Sequence, residues 1–91
     1  MIFDNLRPNQ QRGILNNITD YYMMKISNED LQPSDLQTLK IYCHFSDQQL
    51  RVQWKRYVEE TEQDLRELNC GTLIEEHQIL IYLINNIEQI V

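Results

Sequence analysis

Residues 73–91 read Leu-Ile-Glu-Glu-His-Gln-Ile-Leu-Ile-Tyr-Leu-Ile-Asn-Asn-Ile-Glu-Gln-Ile-Val. Within this stretch Leu73, His77, Leu80, Ile84, Ile87 and Val91 recur in steps of four and three, the spacing of a helical seam. Ile74 and Ile81 flank the seam on one side, and Ile79, Leu83 and Ile90 on the other. At ~100° per residue the apolar arc spans about 220°, roughly twice that of an ordinary surface helix. One neighbouring helix cannot cover such an arc. The helix is therefore expected to be central to a bundle or shared between subunits, with Leu80, Ile84, Ile87 and Val91 as the self-association residues.

Working outward, three other helical segments fit the same logic. Trp54, Val58, Thr61, Leu65 and Leu68 with Leu50 and Tyr57 put one apolar face on a helix over about 47–69. A short helix over about 35–44 would bury Leu36, Leu39, Tyr42 and Cys43. The first helix, about 8–26, opens at Pro8 and carries Ile14, Leu15, Ile18, Tyr21, Tyr22, Met24 and Ile26. Ser34…Gln37, Ser46…Gln49 and Thr72…Glu75 match the capping box, the second with Phe45 and Leu50 as a hydrophobic staple. Gly71 is expected in the left-handed conformation that closes the third helix, and the last runs over 72–91. No period-two alternation persists beyond four residues, so strands are not expected. The fold predicted is all-α: one domain over 1–91, three main helices plus one short one in a compact bundle.

Composition narrows the function classes. The chain has 14 Asp+Glu against 8 Lys+Arg, a net charge of −6, and this opposes nonspecific attraction to nucleic acid. Asn and Gln supply 18 of the 91 residues and Ala none, so the polar faces are amide-rich. Such a surface can hydrogen-bond a partner without the desolvation cost of an ionic one. The longest apolar run, Ile79–Ile84, is far short of the ~20 residues of a membrane span. Met1-Ile2-Phe3-Asp4 does not read as a secretory signal, and two cysteines make no disulfide framework, so reduced thiols and a cytoplasmic location are expected.

Catalytic and metal constellations are missing from the pattern. Cys43-His44 and Cys70…His77 lack the short ligand loops of a zinc site, and no cofactor is expected. His77 on the seam reads as a core histidine with one nitrogen satisfied. No carboxylate pair is forced into one pocket, and no glycine-rich loop exists for phosphate.

What remains is a binding role. The favoured reading is a small acidic, non-enzymatic regulator or adaptor (inhibitor, antitoxin-like or immunity-like factor, or assembly factor), with a protein partner and a homodimer expected. Tyr22 and Met23 read as an aromatic–thioether hot spot, and Arg51, Lys55, Glu59 and Glu60 as a charged contact face. An alternative is a helix-turn-helix DNA binder using Arg51, Lys55 and Arg56. Two others are an acidic nucleic-acid mimic and a structural subunit of a larger assembly.

Overall fold

In the computed structural model the described residues are 3–44 and 48–90. Phe3–Asn5 forms one 3-10 turn, and four helices follow: α1 (Pro8–Ser27), α2 (Pro33–His44), α3 (Gln48–Glu67) and α4 (Gly71–Ile90). The all-α expectation holds, with each helix near its expected place. The radius of gyration, 12.9 Å, is close to the about 12 Å of a compact chain this long.

Helix ends show where local sequence chemistry differs from expectation. Asn69, not Gly71, takes the left-handed conformation after α3 (φ 58). The Cys70 N–H donates to the Leu65 carbonyl (3.1 Å) and the Asn69 N–H to Arg66 (3.2 Å). This is the double bond of a Schellman close, and asparagine tolerates the position almost as glycine does. Gly71 is thereby released to begin α4. The Cys70 carbonyl accepts the Ile74 N–H at 2.9 Å, so a single residue ends one helix and caps the next.

The capping boxes expected at Ser34 and Thr72 do not form, because both residues lie inside helices that begin earlier. Asp35 caps α2 instead: its Oδ2 accepts the Gln32 N–H at 2.9 Å, with Pro33 at the first helical position. The Ser46 box and Phe45 staple fall outside the described residues. Leu68, expected on the buried face of α3, lies past the helix end and is 71% exposed.

Core packing centres on Trp54, which is fully buried with Tyr22, Leu39, Val58, Leu80, Ile84 and Ile87. Its indole meets the rings of Tyr22 at 5.8 Å and Tyr42 at 6.4 Å, joining α3 to α1 and α2. The indole N–H donates to Thr19 Oγ (3.0 Å), and that hydroxyl donates to the Leu15 carbonyl (2.7 Å). Every polar hydrogen in this relay is used. Helix α4 packs against all three other helices, as its wide apolar arc requires. The Phe3 side chain, to which the sequence reading assigned no role, is buried against the same core, and its carbonyl accepts from Gln11 Nε2 at 2.9 Å.

One correction concerns the self-association residues. Leu80, Ile84 and Ile87 are wholly inside the chain's own core, where the other three helices cover them, so they are not a surface shared between folded copies. Val91 lies outside the described residues. Near its end α4 kinks at Asn86 (φ −119, ψ 15). The Asn86 side-chain amide donates to the Tyr82 carbonyl at 2.8 Å, inserting a side chain into the helical ladder.

Ile84→Asp is expected to lose several kcal/mol and unfold the chain, because an unpaired carboxylate would sit in the core. Ile41→Asp, on the exposed side of α2, should leave the circular-dichroism melt within about 0.5 kcal/mol of wild type. Equal tolerance of both would contradict this packing. Thr19→Val strands the Trp54 N–H and should lower the urea midpoint by the equivalent of about 1–3 kcal/mol, whereas Thr19→Ser restores the acceptor.

Candidate functional site

The most densely connected polar cluster lies where α1 meets the start of α2. Asp35 is buried there, yet both its carboxylate oxygens are used. Oδ1 accepts the Tyr21 hydroxyl at 2.6 Å, and Oδ2 accepts the Gln32 N–H and lies 3.8 Å from Lys25 Nζ. One residue over, the Tyr22 hydroxyl donates to the Asp35 carbonyl at 2.8 Å. Lys25 also reaches Asp30 at 3.5 Å and stands 5.7 Å from the centre of the Tyr21 ring. Successive tyrosines on α1 thus hold one residue of α2 by its side chain and its backbone.

The electrostatics follow from these bonds. The Tyr21 hydroxyl, then the Gln32 N–H and the Lys25 ammonium, hold the Asp35 carboxyl below the usual carboxylate range, outweighing its partial burial. Tyr21 is raised, chiefly because its proton is shared with that carboxylate. Burial, followed by the neighbouring Tyr42 and Asp35, pushes the Tyr22 phenol far above the ordinary tyrosine range. Both tyrosines are firmly protonated donors.

Beside this cluster a cleft of about 240 Å³ opens between α1 and α2, lined by Asn17, Ile18, Tyr21, Tyr22, Thr38 and Tyr42. A second cleft, of about 150 Å³, lies among the 3-10 turn, α1 and α3, where Arg12, Gln53, Arg56 and Glu60 border it.

The expected contact residues divide among these places. Tyr22 is 1% exposed, so it is a core residue and the proposed hot spot loses it. Met23 is half-buried against the core, while the adjacent Tyr21 and Met24 face outward. Arg51 is half-buried, close enough to Cys43 to offset part of the upward push that burial gives that thiol. Lys55 and Glu59 are exposed and meet one turn apart at 4.0 Å, and Glu60 is exposed at the border of the second cleft. These residues lie along one helix but converge on no common pocket. Part of the acidic face is spoken for: Glu62 accepts from Arg66 Nε at 2.8 Å and from Gln78 at 3.4 Å.

Cys43 is buried, Cys70 partly so, and both thiols are free. His77 is buried with Nδ1 2.8 Å from the Leu73 carbonyl, the satisfied core histidine expected of a seam position. Among the described residues no three His, Cys, Asp or Glu side chains converge as a metal site would need, and no helix is long and apolar enough to cross a membrane.

Asp35 and Tyr42 carry no site signal in the sequence alone. A pair of tyrosines followed 13 residues later by an acid carries no helical period, so only the turn at 28–32 brings them together. Compared with protein-family models, curated proteins and solved structures, the chain matches none.

A carboxyl held low in the folded state adds stability above the ordinary Asp value, about 3.9, and that stability is lost as pH falls through the folded value. The urea midpoint should therefore drop between pH 5 and pH 3 more steeply for wild type than for Asp35→Asn. Parallel curves for the two would show that Asp35 is not coupled to folding.

Proposed function

We propose that the chain is a small, acidic, non-enzymatic protein-binding regulator or adaptor, working in the cytoplasm where Cys43 and Cys70 stay reduced. The observation that carries this reading is the outer face of α4. Ile79 is 46% and Tyr82 60% exposed, one turn apart on the side of the helix facing away from the core. Exposed Glu75, Gln78 and Gln89 share that side. An aromatic–aliphatic pair ringed by amides and one acid has the make-up of a docking patch: apolar in the middle, easily desolvated at the rim.

A second copy of the chain is the simplest partner for this face. Ile79 and Tyr82 straddle the midpoint of α4, so a two-fold axis there would set Tyr82 of each copy against Ile79 of the other, a self-complementary contact. This moves the self-association surface from the inner arc of α4 to its outer side.

Tyr82→Glu tests both statements, since it charges the patch without touching the core. Copurification from the native host should retain a stoichiometric protein with wild type and lose it with Tyr82→Glu at unchanged helicity. Equal recovery with both proteins, or none with wild type, overturns the role of the patch. Light scattering at micromolar concentration should give twice the chain mass for wild type and the single mass for the variant. A monomeric wild type removes the dimer and leaves heterologous binding standing.

A further inference from the structure

We infer that the cleft between α1 and α2 is a receptor for a single arginine side chain presented by a basic protein partner. This rests on the protein-binding reading above and names the chemistry one of its contacts would use. Two of the six lining residues, Tyr21 and Tyr42, bring tyrosine rings that solvent reaches, with Tyr22 sealed in the wall behind them, and none of the six is charged. Aromatic faces carry negative quadrupole density, and a guanidinium is attracted to them and desolvates more readily than an ammonium.

The rings are pre-set for this. Tyr21 is fixed through its hydroxyl to Asp35 Oδ1, Tyr22 through its hydroxyl to the Asp35 carbonyl, and Tyr42 packs edge-on against Trp54. The Tyr21 ring is braced nearly perpendicular against buried Tyr22, at 83° with centres 5.2 Å apart, so its position is held without a ligand. Donating to a carboxylate also makes the Tyr21 ring more electron-rich. The fold already shows the result, since Lys25 Nζ stands over that same ring at 5.7 Å.

Charge selects the occupant further. A chain of net charge −6 favours encounter with a basic group. A cleft of about 240 Å³ accepts a guanidinium with its adjoining methylenes. The exposed side chains of Asn17 and Thr38 border the cleft and supply an amide and a hydroxyl to meet its N–H groups.

The test is an NMR titration of the full chain with n-butylguanidinium, against n-butylurea as the uncharged counterpart. Butylguanidinium should shift the ring protons of Tyr21 and Tyr42 and the Thr38 methyl saturably at millimolar concentration, while butylurea should not. Tyr42→Leu should weaken binding by roughly five- to tenfold. Thr38→Lys, on the exposed rim and away from the core, should abolish the response by placing an internal ammonium in the cleft, with Thr38→Ala retaining it. No saturable shift, or equal shifts with butylurea, overturns the inference. A failed titration with intact copurification leaves the adaptor reading in place, whereas loss of copurification with Tyr82→Glu does not bear on the cleft.

Discussion

Trp54 brings a large ring and a single N–H donor into a region closed to water, and the helices are arranged to meet both demands. Thr19 takes the proton and passes its own to the Leu15 carbonyl, while Tyr22 and Tyr42 pack against the ring. In this way one side chain of α3 sets the position of α1 and α2 together. The buried face of α4, with Leu80, Ile84 and Ile87, closes the core. In a chain this short, where total stability is only about 5 kcal/mol or somewhat more, an unmet donor at its centre would consume a large share of the total.

The α1–α2 junction solves a different problem. The two helices are joined by a short turn that leaves α1 through Glu29 in the left-handed conformation (φ 53), a position where a side chain is strained. Asp35 offsets that by serving three partners: it caps its own helix, receives Tyr21 and draws in Lys25. The same bonds hold the tyrosine rings at fixed angles beside an open cleft. Rigidity needed for folding and preorganisation useful for binding come from one set of contacts.

Legibility from sequence varied with the range of the interaction. Helix positions were readable because hydrophobic spacing and Pro8 act locally, and the burial of His77, Leu80, Ile84 and Ile87 follows from the seam. Helix ends were less so, since Asn69 and Gly71 are both competent to stop a helix and the choice depends on how tightly α3 must turn into α4. Tyr22 looked like a surface hot spot beside Met23, but which member of an adjacent aromatic run turns inward depends on the helix it meets. Tyr22 meets Trp54, 32 positions along the chain.

Periodicity and composition by themselves determined that the chain is helical, acidic, and overloaded with apolar residues at its carboxy-terminal helix, because these are sums over neighbours in sequence. Only tertiary structure decided where the excess goes. Most of the arc is absorbed by the three other helices, which leaves Leu73, Ile79, Tyr82 and Ile90 exposed along α4. Tertiary structure also decided that Tyr21, Tyr22 and Tyr42 border one cleft. The reason is geometric: how many faces of a helix are covered depends on how many neighbours reach it, and no local spacing encodes that number.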